Sequence, residues 1–136
     1  MERLTKVMDK YLKKAAADWD KKKVLTLVVS KQWFDMIAAG RKTEEYREIK
    51  SYWLNRITKD SYGDFSYVHT ADGKIRYLTL GSNFHSRYTH VLFINGYRKD
   101  SPRIEKEIES ITIGKPKKGL CPDEWLDTEF FIIKFK

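Results

Sequence analysis

The residue types that could carry out chemistry are concentrated in the segment GRKTEEYREIKSYW, which runs from Gly40 to Trp53. Lys42, Glu45 and Arg47 together offer two cations that bind anions, a hydrogen-bond acceptor and a candidate general base. If the protein is an enzyme, Lys42 and Glu45 are its catalytic candidates. The segment is therefore either a ligand site or a solvated charged surface.

The backbone conformation of this segment decides between the two interpretations. In an extended segment, Glu45 and Arg47 point to one face, about 7 Å apart at the backbone, while Glu44 and Tyr46 point to the other. Lys42 then reaches the same space as Glu45 and Arg47. In a helix, by contrast, the same charges would form a solvated face.

A strand and a short helix precede the charged segment and would position it. The stretch VLTLVVS, Val24 to Ser30, is continuously apolar and β-branched, which is typical of a buried strand. Ser30 is a suitable cap for a helix over residues 31–39, and the free amides at the start of such a helix are a candidate anion site. Gly40 ends the helix, because glycine readily adopts a left-handed turn.

The remaining pattern predicts an α+β domain over residues 24–136. Asp72-Gly73 lies between two alternating runs, which predicts a β-hairpin. Residues 89–97 and 130–135 are predicted strands, and the charged residues 103–114 favour a strand at least at their end. Four to six strands with one or two helices predict a small mixed β-barrel rather than a parallel α/β sheet.

Residues 1–23 carry apolar side chains at a spacing of three and four, which predicts an amphipathic N-terminal helix. We interpret this helix first as an extension that packs on the main domain and has a solvated outer face. Two alternatives remain open: its basic face contacts nucleic acid, or the helix docks a protein partner.

Composition narrows the classes of function. The chain has 136 residues, with 27 Lys and Arg against 19 Asp and Glu, for a formal charge of +8 that suits RNA, or DNA, as partner. The single Cys121 excludes an intrachain disulfide, and His69, His85 and His90 lack metal-ligand spacing, so we expect no metal or other cofactor. With no apolar run approaching about 18 residues, we expect a soluble cytoplasmic protein without a membrane partner.

The order of residues in the charged segment resembles a known signature. Gly40-x-Lys42-x-x-Glu45-x-Arg47 is similar to the GxKxxExR motif of the ASCH domain family, in particular its small stand-alone bacterial and phage members. The resemblance covers about residues 24–135 in order and spacing, and it leaves the first helix and residues 58–88 outside.

This resemblance implies a PUA-like β-barrel with a cleft near the first helix of the barrel domain. The cleft would bind RNA or a nucleotide. Lys42 and Arg47 would face phosphates or a base edge. Glu45 would either orient Arg47 or accept a hydrogen bond from a base amino group. A purely structural alternative is that Glu45 and Arg47 form a partly buried ion pair that stabilises the barrel entrance.

Three further residues are candidates on chemical grounds. Trp33 and Tyr97 could stack on a base, since a base-aromatic stack is worth about 1–3 kcal/mol. Core packing is the alternative for both, and it is the favoured one for Trp33. Arg56 is a candidate phosphate ligand, with a solvated arginine as its alternative. We assign Trp53 to the core.

An enzymatic alternative comes from a branch of the same superfamily, which hydrolyses the amide of N4-acetylcytidine with a lysine and a threonine. Lys42 matches that lysine, but Glu45 stands at the threonine position, and Thr43 is out of register. A carboxylate can activate water, and some family members are described as ribonucleases. A small hydrolase acting on a modified nucleoside or on RNA is therefore the second hypothesis.

Overall fold

The fold is built around one mixed β-sheet in a computed structural model that describes residues 8–10, 21–72, 74–81 and 84–136. Two α-helices lie near the start of this part of the chain, α1 at Lys31–Ala38 and α2 at Ser51–Thr58. The strands are β1 Val24–Val28, β2 Glu44–Glu48, β3 Phe65–His69, β4 Ile75–Leu80, β5 His90–Ile94, β6 Arg103–Gly114 and β7 Phe130–Phe135.

Five of these strands form the main sheet in the order β1-β5-β6-β7-β2. β1 pairs with β5 in parallel, whereas the other three pairings are antiparallel. The sheet is therefore mixed, as the sequence predicted. Strands β3 and β4 form a separate antiparallel hairpin.

The sheet begins at β1 and ends at β2, and these two edges meet at a seam. Within the described ranges no backbone ladder joins them, so the expected closed barrel is not found. A side chain bridges the seam instead: the Arg47 guanidinium donates to the carbonyl of Val28 on β1 at 2.9 Å and to that of Tyr46 on β2 at 2.7 Å. Arg47 therefore holds together two strand edges that do not pair.

Apolar side chains pack against the sheet as one main core. It includes buried residues from β1, α1, α2, β5 and β7, among them Leu25, Ile37, Leu54, Phe93 and Phe131. A second, smaller cluster lies on the other face of β2 and contains Tyr46, Cys121 and Phe130. Strand β2 is therefore covered on both faces.

Several predicted elements are confirmed closely. β7 spans residues 130–135 as predicted, and α1 ends one residue before the predicted boundary. Gly40 adopts a φ of 76°, the left-handed conformation expected after a helix. Ser30 occupies the N-cap position of α1 as predicted, but its side chain makes no capping hydrogen bond.

Other elements differ from their prediction or lie partly outside the described residues. The charged residues 103–114 form one continuous strand, since period-two alternation of exposed and half-buried side chains runs almost through its length. The hairpin around Asp72 is confirmed, but Gly73 lies outside the described residues. Of the predicted N-terminal helix, residues 8–10 are helical, residues 21–23 are not, and the rest lies outside the described residues.

Candidate functional site

A cleft of about 620 Å³ opens at the seam between β1 and β2. Its walls come from both seam strands, from α1 and α2, and from the loop before β7 that contains Leu120 and Cys121. This volume falls in the range of about 300–1,000 Å³ that is typical of small-molecule sites. The cleft therefore lies where the sheet fails to close.

Strand β2 places Glu45 and Arg47 on the core side of the sheet. Glu45 lies opposite Ile133 and Arg47 opposite Phe131, two fully buried residues of β7. Cross-strand partners share a face, so the two charged side chains project toward the core at the seam. The extended conformation and the shared face of Glu45 and Arg47 are confirmed, and the solvated-face interpretation is wrong.

The turn at Gly40 brings Lys42 to the same place. The backbone amides of Arg41 and Lys42 both donate to the carbonyl of Met36, at 2.9 and 3.1 Å, which closes the turn after α1. The Lys42 side chain then runs inward, where only 2% of the residue is exposed. Its ammonium nitrogen lies 3.7 Å from Glu45 Oε1 and donates to the carbonyl of Leu120.

The buried Lys42 and Glu45 and the half-buried Arg47 form one cluster, which we call the cleft cluster. Arg47 Nη1 lies 3.5 Å from Glu45 Oε1, the same oxygen that faces Lys42. Burial lowers the pKa of Lys42 from its ordinary value, and the neighbouring Glu45 opposes that shift. Burial also lowers the pKa of Arg47, but a guanidinium starts so high that it stays charged.

Two polar atoms of cleft residues lack hydrogen-bond partners. Among the described residues, the buried side-chain nitrogen and oxygen atoms without a partner are Glu45 Oε2, Arg56 Nε and Arg87 Nε. Glu45 and Arg56 both line the cleft, and only 4% of Glu45 is exposed. An unsatisfied buried polar group costs about 1–3 kcal/mol, so these atoms favour a ligand that pairs with them.

Aromatic side chains make up much of the cleft wall. They are Trp33, Tyr46, Tyr52, Trp53, Tyr97 and Trp125. The Lys42 ammonium lies 4.9 Å from the centre of the Trp33 ring and 4.8 Å from that of Tyr46. Such cation-π contacts partly compensate the burial of the cation.

Tyr97 and Trp53 differ from what their sequence context suggested. Tyr97 is 92% exposed and lies at the cleft, so core packing does not explain it. Trp53 packs partly against the main core, as predicted, but it also lines the cleft. The guanidinium carbons of Arg47 and Arg56 lie 5.4 and 5.9 Å from the centre of its ring. Trp53 therefore links the core to the charged part of the cleft.

The structure places all the predicted binding residues around one cleft. Trp33, Lys42, Glu45, Arg47, Arg56 and Tyr97 all line it, and Gly40 shapes the turn that delivers Lys42. Arg56 also donates to the Tyr52 hydroxyl at 2.9 Å. Sequence reasoning missed Tyr52 and Trp125 as wall residues. The signal for Tyr52 was its spacing of four from Arg56 on one helix.

The other face of β2 carries a second polar cluster, which we call the tyrosine network. Glu44 accepts a hydrogen bond from the Tyr46 hydroxyl at 2.9 Å, and that hydroxyl accepts one from the Lys117 amide at 3.2 Å. The Lys117 ammonium lies 3.6 Å from Glu44 Oε2. The lysine-rich turn at residues 114–119 thus anchors β2 through Lys117.

Cys121 adjoins both clusters but does not act as an exposed thiol. It is buried, and burial raises the pKa of its thiol, so the nucleophilic thiolate is disfavoured. In the described ranges, no three His, Cys, Asp or Glu side chains are grouped as metal ligands would be. The helices in the same ranges are too short or too polar to cross a membrane.

Comparison with known proteins adds no relative. No protein-family model, no curated protein and no solved structure matches the chain. The assignment of function therefore depends on the chemistry of the cleft.

Proposed function

We propose that the cleft binds a nucleotide, either free or as part of a single-stranded RNA. The observation that carries this proposal is an aromatic-walled cleft whose floor holds the buried Lys42 and Glu45 and the half-buried Arg47. Aromatic walls suit the flat faces of a base, and the charged floor suits its polar edge. The ASCH-like signature supports the same function, with the open seam as this chain's version of a PUA-like barrel.

The phosphate of such a ligand is directed to the rim. Arg56 is partly exposed there, and Ser30 brings the first turn of α1 to the cleft wall. A cation and the amides of a helix N-terminus both favour an anion. Lys42 and Arg47 instead face inward, and their hydrogen bonds go to the carbonyls of Leu120, Tyr46 and Val28.

Fluorescence anisotropy of a labelled short RNA at two salt concentrations tests this proposal. We expect binding that weakens as salt rises, because bound phosphates release counterions. An Arg56→Ala/Tyr97→Ala variant should lose at least about tenfold in affinity, as expected for one stacking residue and one phosphate contact. Tyr97 is exposed, so its replacement leaves the core intact.

The matched control is Arg103→Ala/Tyr67→Ala, which removes the same residue types from exposed positions outside the cleft. The control should bind like the wild type. Equal loss in both variants would show that binding depends on general charge and not on the cleft, and no binding by the wild type would reject an RNA site.

A second candidate function is hydrolysis of a modified nucleoside or of RNA. It is favoured by the close approach of Lys42 to Glu45, 3.7 Å, inside the cleft. Burial lowers the pKa of Lys42 from its ordinary value, with the neighbouring Glu45 opposing the shift. Thr43 is exposed and does not line the cleft, so water activated by Glu45 would be the nucleophile. Turnover on a panel of N-acylated nucleosides and on RNA, abolished in Glu45→Gln, would establish it.

A further inference from the structure

The two oxygens of the Glu45 carboxylate have different environments. Oε1 accepts a hydrogen bond from the Tyr46 amide at 2.9 Å and faces both Lys42 and Arg47. Oε2 is buried and has no hydrogen-bond partner among the residues that the structure describes. One oxygen is therefore used by the fold, and the other is an acceptor without a donor.

The cations next to Glu45 do not supply that donor. Arg47 donates to the carbonyls of Tyr46 and Val28, and Lys42 donates to that of Leu120. The ion-pair contacts of Arg47 and Lys42 with the carboxylate are made to Oε1, at 3.5 and 3.7 Å. A donor for Oε2 is thus most simply supplied by a group in the cleft.

Strand β1 adds backbone groups along the same seam. The Val29 amide donates to the carbonyl of Ile94 on β5, at 2.9 Å. Because backbone groups alternate along a strand, those of Thr26 and Val28 point away from β5 and toward the seam. The Val28 carbonyl confirms this direction, since it accepts from Arg47. Main-chain groups of Thr26 therefore lie along the same cleft that Glu45 lines.

We propose, on the premise that the cleft binds a nucleotide, that Glu45 Oε2 makes it selective for a base with an exocyclic amino group. An amino group donates a hydrogen bond to this oxygen, as in carboxylate contacts to the cytosine amine. An oxo group at the same position presents only lone pairs and leaves Oε2 unpaired. A site built to pair with a donor rejects the analogue that lacks it. The selected class is therefore cytosine- or adenine-type bases over uracil- or hypoxanthine-type bases.

Glu45→Gln separates this role from a structural one. The Tyr46 amide still needs an acceptor, so the new amide oxygen takes the place of Oε1. The NH₂ group then takes the place of Oε2 and offers a donor where the wild type offers an acceptor. We therefore expect the variant to lose the preference for the amino base or to reverse it in favour of the oxo base.

The experiment titrates the full-length protein calorimetrically with cytidine against uridine monophosphate, and with adenosine against inosine monophosphate. In at least one pair the amino partner should bind about tenfold tighter or more, the discrimination typical of a good base contact. Glu45→Gln should remove or reverse that ratio. Glu107→Gln, an exposed glutamate on β6 that pairs with Lys136, is the matched control and should keep it.

The outcomes distinguish this inference from its premise. If nucleotides bind but neither pair shows a preference, or if Glu45→Gln keeps the wild-type ratio, the inference is overturned and nucleotide binding stands. If neither mononucleotides nor RNA bind, both fall. If Glu45→Gln does not fold, the wild-type ratios decide on their own.

Discussion

Glu44 and Glu45 are neighbours on one strand and are almost equally buried, 6% and 4% exposed, yet their surroundings differ. Glu44 belongs to the tyrosine network, where the Tyr46 hydroxyl meets one oxygen and the Lys117 ammonium faces the other. Glu45 belongs to the cleft cluster, where one oxygen has several partners and the other has no hydrogen-bond partner in the described part of the chain. A glutamate on one face of β2 therefore has partners for both carboxylate oxygens, whereas a glutamate on the other face has partners for one.

This contrast shows that burial and charge alone do not identify a binding residue. Both carboxylates are buried and both have a cation nearby, as stable folds require. What separates them is whether every polar atom already has a partner within the protein. By that criterion the tyrosine network is structural, and the cleft cluster is built to be completed by a ligand.

The largest expected effect comes from Arg47→Met, which breaks the cleft cluster. The substitution leaves Lys42 as the remaining cation next to the Glu45 carboxylate. It also removes the bridge between the Val28 and Tyr46 carbonyls. Breaking a buried ion pair costs about 3–5 kcal/mol, so we expect a loss of that size in the free energy of unfolding measured by urea denaturation. The exposed Arg103→Met should change it by about 0.5 kcal/mol or less. A similar small effect at Arg47 would show that the seam does not depend on the guanidinium.

A smaller loss is expected from Tyr46→Phe, which breaks the tyrosine network. Without the hydroxyl, Glu44 Oε1 loses its donor and the Lys117 amide loses its acceptor. Leaving such groups unpaired costs about 1–3 kcal/mol in the free energy of unfolding, measured in the same way. If the variant were as stable as the wild type, the network would not anchor β2 to the turn.

The smallest expected effect is that the destabilisation caused by Tyr46→Phe changes with pH. Burial raises the pKa of Tyr46 far above its ordinary value, with the Glu44 carboxylate adding to the shift. The native protein therefore keeps a proton that the unfolded chain releases above about pH 10. Below that pH, Tyr46 makes its full contribution to the free energy of unfolding. Above it, this contribution falls by at most about 1.4 kcal/mol per pH unit.

Denaturation of wild type and Tyr46→Phe at about pH 9 and pH 11 measures this change. The destabilisation caused by the substitution should shrink at the higher pH. A gap between the two proteins that stays constant or widens would contradict the burial of the hydroxyl.

Local patterns in the sequence were sufficient to predict much of β2 and its approach. The glycine at position 40 and the period-two spacing of Glu45 and Arg47 depend on short-range geometry. The meeting of Trp33, Arg56 and Tyr97 at the same cleft depends on the folded chain. These residues lie together as expected, and their role in binding is a proposal.

The parts that were not predicted depend on contacts between distant residues. Nothing local to β1 indicates that it lies at the opposite end of the sheet from β2, so the seam and its Arg47 bridge were not visible. Likewise, Tyr46 and Lys117 are 71 residues apart in sequence, and their hydrogen bond follows only from the folded chain. The unpaired Glu45 oxygen can be recognised only once every neighbour is placed.

The most direct test of the central contrast makes the same chemical change at both neighbours. Glu44→Gln and Glu45→Gln, each verified as folded, are titrated calorimetrically with the nucleotide monophosphate that the wild type binds most tightly. We predict that Glu45→Gln weakens binding by about tenfold or more, whereas Glu44→Gln stays within about twofold of the wild type. Equal effects at both positions, a larger effect at Glu44, or no nucleotide binding by the wild type would contradict the account.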